Sequence, residues 1–462
     1  MSIFSTLRKE HREAVGLLQM GTFLEYFDLM LYVHMAVILN DLFFPKTDPH
    51  TAALISAFAF CSTWILRPFG AIIFGYIGDN IGRKAIVVMT TLMMAVSCIL
   101  MANLPTYAEI GIAAAWIVTG CRILQGLASM GEIIGATIYL TEITKPPRSY
   151  PIVAFLDVAS SLGGVVALLV ASIVTISPKF DWRVAFWIGA SIAVIGAMAR
   201  SRLKETLDYS DMQRRMKNTL QESYHDKLGP AAELLKNLNP IWKEKTDNKV
   251  VKYYFLMSCA SPLCFYITYV FCGDILRKNY GFSPEEVIHQ NLIISIFAMI
   301  SLTITALLSY RVPPLSILKA KVFIMFPFLV LTPVFFSLGN HYYVNLIQFV
   351  FIVFGLAINP AYPVLLKYLP ILRRFTFASM IYAVSRALTY IITTFGCVYL
   401  AEWFGYWGLL MIMTPISVGY YSGIKFFEKL EEDYPEYLKR QASKKPDWLK
   451  RLNQLSPASQ RR

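Results

Sequence analysis

Three groups of residues have the types and spacing for chemistry inside apolar runs. Glu25 and Asp28 stand three residues apart with Tyr32 four further on, which sets all three on one face of a helix. Arg122 is followed by Gln125, Ser129 and Glu132, and at 100° per residue these four fall within an arc of about 80°. Ser379, Tyr382, Arg386, Thr389 and Thr393 form a third polar stripe. An ionised group at bilayer depth costs roughly 2.5–3.5 kcal/mol on insertion scales, so such groups face a protein interior or a cavity. Asp28 and Arg122 fall at similar depth, and a carboxylate opposite an arginine can take up and release a proton as a solute comes and goes. A permanent ion pair joining two helices is the alternative reading. Glu25, Asp28 and Glu132 are the candidate proton-coupling groups, and Arg122, Gln125, Tyr32, Tyr382 and Arg386 the candidate ligands for a carboxylate-bearing solute. Arg386 has a second reading, as the neutraliser of a nearby acid. Asp157 and the Asn359-Pro360 pair are secondary candidates, and His34 reads as a packing residue.

The chain that positions these residues has 462 residues, 56% hydrophobic and 16% charged, against about 45–50% and 25% in ordinary soluble domains. Its 31 Phe, 26 Tyr and 8 Trp need an apolar setting, and several apolar runs of about 20 residues can cross a ~30 Å hydrocarbon layer. An integral membrane protein is expected. The net charge of +13 sits in short loops and two polar segments rather than in one basic domain, which argues against nucleic acid as a partner and for the positive-inside bias. The seven Cys have neither disulfide nor zinc-site spacing and read as inert packing residues, with no metal expected. No HExxH, GxSxG or GxxxxGK occurs, so neither an enzyme nor a cofactor is expected. The apolar run after the first 14 residues continues without a small-residue cleavage site, so no removable leader is expected.

Twelve candidate crossings follow: 15–38, 52–77, 84–103, 109–137, 150–176, 183–201, 250–272, 287–309, 320–338, 342–366, 376–400 and 403–427. Alternate loops differ in charge. Arg8, Lys9, Arg12, Arg83, Lys84, Lys145, Arg148, Arg311, Lys319, Lys321, Arg373 and Arg374 fall on one side with the basic tail, so both termini are expected to face the cytoplasm. The polar stretch 203–249 divides the chain into an N-terminal bundle over 15–202 and a C-terminal bundle over 250–427. A cytoplasmic segment, 1–14, precedes them, and a tail, 428–462, follows. Six crossings plus six match the parallel-repeat plan of secondary transporters, whose solute site lies between the halves.

Between the second and third crossings the chain reads Gly75, Gly78, Asp79, Gly82, Arg83 and Lys84, which resembles the signature loop of the major facilitator superfamily. Its glycines permit tight packing, and Asp79 and Arg83 can latch a neighbouring helix end. The resemblance narrows to the metabolite:proton symporter family. It is carried by Leu24-Glu25-Tyr26-Phe27-Asp28 with Tyr32, by Arg67-Pro68-Phe69-Gly70, by Arg122 to Gln125-Gly126 with Gly131-Glu132 and Gly135, and by Asp181-Trp182-Arg183 through Leu203-Lys204-Glu205-Thr206. In the second half Leu369-Pro370, Arg374 and Tyr382 resemble the family, while Lys367 stands where an acid is usual, Ala383 where Asn is common, and the loop 309–319 lacks the second glycine signature. The resemblance implies an all-α fold of 12 transmembrane helices in a bacterial inner membrane. It also implies proton-coupled uptake of an osmolyte such as proline or betaine, or of an organic acid. The partners expected are thus a small solute, protons and the lipid bilayer. Proton-driven export and a transporter-derived sensor are the alternatives; the fifth crossing, with Ser161-Leu162-Gly163-Gly164, lacks the Gly-Pro element of drug exporters.

Overall fold

The computed structural model describes residues 9–44, 64, 66–81, 83–176, 181–201 and 246–436. Gly82, nearly all of the expected linker, the first part of the second crossing and most of the tail lie outside the described residues, as do the side chains of Tyr32, Arg83 and Glu132. Among the described residues every regular element is helical. In chain order these are α1 (Lys9–Phe43), α2 (Arg67–Asn80), α3 (Arg83–Asn103), α4 (Ile112–Ile143), α5 (Ser149–Ile176) and α6 (Arg183–Arg200). The second six are α7 (Asn248–Tyr280), α8 (Pro284–Leu308), α9 (Pro314–Ser337), α10 (His341–Val353), α11 (Arg374–Phe404) and α12 (Leu410–Glu432).

Local chemistry sets the helix ends. Ser283 caps α8 reciprocally: its hydroxyl accepts from the Glu286 N–H at 3.2 Å while the Glu286 carboxylate accepts from the Ser283 N–H at 2.7 Å. Asp247 and Asn340 cap α7 and α10 with their side-chain oxygens. Pro68, Pro284 and Pro314 occupy first turns, where no N–H is required. Gly281, at φ 70°, ends α7 in the left-handed conformation.

The surface is apolar where a soluble protein's is not. Trp116, Ile195, Phe395 and Trp403 are each more than half exposed, an arrangement stable only against lipid. Lipid tails are as apolar as leucine, so close packing must hold the helices together. Gly131 of α4 seats on Ile86 and Thr90 of α3, and Gly135 lies against Val87 one turn away. Gly163 of α5 meets the Phe23 backbone of α1, and Gly423 of α12 meets Met257 of α7. The two groups of six join where α2 lies on α11 and α5 on α8. The end at which α1 begins and α12 finishes is called the terminal end below.

Two departures from regular helix bear on the site. α7 contains a π-helical turn at Tyr266–Phe271, and Gln348 of α10 donates to the Thr268 carbonyl within it at 2.8 Å. α10 was expected to run unbroken across 342–366, but it stops at Val353 and the chain resumes as a short helix only at Tyr362–Leu366. Irregular backbone at this depth is tolerated where protein groups or a cavity satisfy it. Here the Tyr420 hydroxyl donates to the Ala357 carbonyl at 2.7 Å.

Candidate functional site

A cavity of about 490 Å³ lies between the two six-helix groups. α5 and α8 form part of its wall, and the irregular stretch after α10 forms another, through Gly355 and Asn359. Among the described residues its charged lining side chains are Asp157 of α5, Arg277 of α7, Lys321 of α9 and Arg386 of α11, three cations and one carboxylate.

Arg386 sits in an aromatic setting. Its guanidinium carbon is 3.4 Å from the centre of the Tyr382 ring, a cation–π geometry. Tyr362 lies within hydrogen-bonding reach of the same guanidinium, and Tyr26 and Tyr390 face it. Further along the stripe, Thr393 donates back to the carbonyl of Thr389 at 2.8 Å rather than to the cavity.

Asp157 and Lys321 face the same space from opposite bundles. Asn359 lies within hydrogen-bonding reach of Asp157, and both Lys321 and Arg386 act on the carboxylate through space. Sequence reading placed Lys321 with the loop cations; it stands instead inside α9 and lines the cavity. Lys319, two residues earlier, points elsewhere and pairs with Glu428 of α12 at 3.1 Å. Successive helical residues turn by 100°, so neighbours in sequence part company. Lys321, Arg277, Tyr26 and Tyr362 are among the site residues that sequence reading missed.

Of the sequence candidates, Tyr382 and Arg386 line this cavity, as do the secondary candidates Asp157 and Asn359. Glu25, Asp28, Arg122 and Gln125 are all buried, at 5% exposure or less, but none is among its lining residues. Asp28, Arg122 and Gln125 belong to a polar interior within the first bundle, while Glu25 acts through space on Tyr26, which lines the cavity. The Cys98 thiol of α3 donates to Asp28 Oδ1 at 2.9 Å, Arg122 donates to Gln125 Oε1 at 3.0 Å, and Arg122 acts on Asp28 through space. Cys98 thus does more than pack. Among the described residues no cluster of three His, Cys, Asp or Glu side chains is placed to hold a metal.

At the terminal end polar contacts join the halves. Asp79, in the last turn of α2, accepts from the backbone N–H groups of Phe375 and Thr376 at 3.2 and 2.9 Å and from the Thr376 hydroxyl at 2.7 Å. It thereby caps the positive end of α11. Gly75 and Gly78 make the approach possible: a Cβ on Gly75 would lie 2.9 Å from Thr376 Cα, and one on Gly78 2.8 Å from the Phe375 ring. Beside them Arg374 of α11 pairs with the fully buried Glu142 side chain of α4 at 3.1 Å. Within the second bundle Lys367, the residue standing where an acid is usual, donates to Glu431 of α12, which also accepts from the Tyr368 hydroxyl at 2.6 Å.

The profile of the Major Facilitator Superfamily matches residues 18–394. The Proline/betaine transporter of Salmonella typhimurium is 27% identical over 286 residues, 60% of this chain and 55% of that protein. The Ectoine/proline transporter ProP of Corynebacterium glutamicum is 30% identical over 215 residues, 44% of this chain and 43% of that protein. The chain spans about half the length of the curated relatives it matches. Among solved structures, the proton:xylose symporter XylE bound to 6-bromo-6-deoxy-D-glucose superposes with a TM-score of 0.70 at 14% identity, covering 91% of this chain and 95% of that one. The transporter FucP in the outward conformation gives 0.65 at 14% identity, covering 89% and 98%.

Proposed function

This chain belongs to the major facilitator superfamily, an all-α fold of two six-helix bundles spanning the membrane, and on that premise we propose that it is a proton-coupled solute transporter. The solute is a small carboxylate-bearing metabolite, held in the cavity between the bundles. The observation that carries this reading is the charge of that cavity: among the described lining residues, Arg386, Lys321 and Arg277 stand against Asp157. An anionic group entering it is desolvated among fixed cations, which favours carboxylates over neutral solutes. The names of the proline/betaine and ectoine/proline relatives make zwitterionic osmolytes the first solutes to test, with organic acids next.

Transport proceeds by alternating access. The contacts of Asp79 with α11 and of Glu142 with Arg374 hold the terminal end shut, and they part when the loaded halves rock. The distribution of loop cations favours a cytoplasmic terminal end, and in a bacterial inner membrane the inward proton gradient would then drive uptake. The proton travels on a buried carboxylate, for which Asp157 in the cavity and Glu25 and Asp28 behind it compete. One positive charge entering down ~100 mV is worth about 2.3 kcal/mol, enough for on the order of 50-fold accumulation.

The test uses purified protein in liposomes with labelled proline, glycine betaine and α-ketoglutarate. Uptake of at least one is expected to accelerate on external acidification and to collapse when a protonophore is added. An uptake rate indifferent to both pH gradient and membrane potential overturns the coupling.

A further inference from the structure

We propose that Asp157 is the proton-carrying group and Lys321 a carboxylate anchor, coupled because solute and Asp157 compete for the same cations. The inference deepens the transport reading and borrows from it only the presence of an anionic solute.

Asp157, Lys321 and Arg386 line one cavity, each on a different helix. Lys321 and Asp157 influence each other electrostatically. Among the described residues no carboxylate lies within ion-pair contact of Lys321, so the ammonium is open to the cavity beside it. The groups facing Asp157 are Lys321 from α9, Arg386 from α11, Tyr26 from α1, and Asn359 and Tyr362 from the chain after α10. α8 contributes the uncharged Asn291 and Ser295, and α4 contributes Thr137. Arg386 and Lys321 are the cations that act on the Asp157 carboxylate through space. A solute carboxylate that takes Lys321 and Arg386 puts a second anion against the same cations. A second carboxylate against the same cations both repels Asp157 and draws its counter-charge away, which favours the protonated form of Asp157. Asp157 takes the proton on a carboxylate oxygen from the side to which the cavity is open, carries it across, and gives it up on the other side as the solute leaves. Asp28 lacks this arrangement, because it lies outside the cavity and accepts from Cys98.

Two measurements test the assignment. The first needs no solute: wild-type protein in liposomes is treated with dicyclohexylcarbodiimide, which modifies protonated carboxyls in apolar surroundings, and the adduct is mapped by mass spectrometry. Modification of Asp157 is expected, faster at acid than at alkaline pH, with Lys321→Gln extending it to higher pH. Modification of Glu25 or Asp28 with Asp157 untouched overturns the proposal. The second is uptake of labelled proline and glycine betaine under a one-unit pH gradient, which supports about tenfold accumulation per coupled proton. Asp157→Asn is expected to lose that accumulation and any pH dependence of exchange, while Asp157→Glu retains coupling with a displaced pH profile. Full gradient-driven accumulation by Asp157→Asn overturns the proposal. If Asp157 titrates as described and Lys321 governs it while no solute moves in the wild type, the transport reading fails and the assignment of the proton site stands.

Discussion

Asp79 of the first bundle and Thr376 of the second are joined twice, through the Thr376 backbone N–H at 2.9 Å and its hydroxyl at 2.7 Å, both to Asp79 Oδ2. The carboxylate stands where a capping residue of α11 would stand, yet it comes from a helix nearly 300 residues earlier in the chain. A bond that caps a helix also joins two bundles. Replacing Asp79 by Asn removes the charge that complements the helix N-terminus and costs about 1–2 kcal/mol. Opening of the terminal end is expected to become roughly 5–30 times more populated. Spin-label distances between α2 and α11 check this: an unchanged distribution means the contact does not hold the closed state.

Gly75→Ala attacks the same interface by shape alone. The added methyl would meet Thr376 Cα at 2.9 Å, and backbone cannot yield as a flexible side chain does. The interface is expected to open in the same direction as with Asp79→Asn. The double variant should open by less than the sum of the two, since both remove one contact. Strict additivity in the same distance measurement would mean the two residues act at independent places.

Glu142 and Arg374 form another inter-bundle tie, with side chains 0% and 10% exposed. Breaking a buried pair from one side leaves a charge without its counter-charge and costs about 3–5 kcal/mol, whereas removing both charges is often neutral. Glu142→Gln is therefore expected to lower the thermal stability of the detergent-solubilised protein more than Glu142→Gln with Arg374→Gln does. The reverse order would mean the pair is not the dominant partner of either residue.

Helical periodicity made a good deal of this legible in advance. The spacing of Glu25 with Asp28 and of Arg122 with Gln125 identified side chains that are indeed buried, because a polar stripe on an apolar helix has nowhere else to go. Periodicity gives a face, though, and not the neighbour of that face. Asp28 meets Cys98 rather than the inter-bundle cavity, and nothing in the local pattern distinguishes the two. Lys321 was hidden for the opposite reason. It follows a genuine interfacial cation, Lys319, and grouping loop charges by position merged two side chains that a 200° turn separates. The break after α10 was masked by an apolar run, although Gly355 and Pro360 lay within it. The partner of Asp79 is a tertiary fact that no local spacing contains.

Gly163 and Gly164 in α5 offer an internal control. A Cβ on Gly163 would collide with the Phe23 carbonyl of α1, while one on Gly164 would rest 3.5 Å from the Met30 side chain, an ordinary contact. Gly163→Ala must push α1 and α5 apart, at about 1–3 kcal/mol or more. Gly164→Ala should be nearly neutral, since it also gains helix propensity. Thermal unfolding in detergent compares them directly, and equal stability of the two variants would contradict the α1–α5 packing described.

Arg386 and Tyr382 separate charge from geometry at the cavity. With the guanidinium 3.4 Å above the ring, the stacking is worth about 0.5–2 kcal/mol and depends on the ring face rather than on the hydroxyl. Tyr382→Phe is therefore expected to bind solute nearly as the wild type does. Tyr382→Leu frees the arginine from its support and should weaken half-saturation by roughly 2–30-fold, the same energy expressed as a ratio. Arg386→Lys keeps the positive charge but loses both the planar stack and the two-pronged grip on a carboxylate. Its half-saturation concentration should rise by about tenfold or more, with counterflow still measurable at high solute. If Arg386→Lys saturates at the wild-type concentration of a transported solute, Arg386 serves to neutralise Asp157 rather than to touch the solute. Recognition then falls to the remaining lining cations, Lys321 and Arg277.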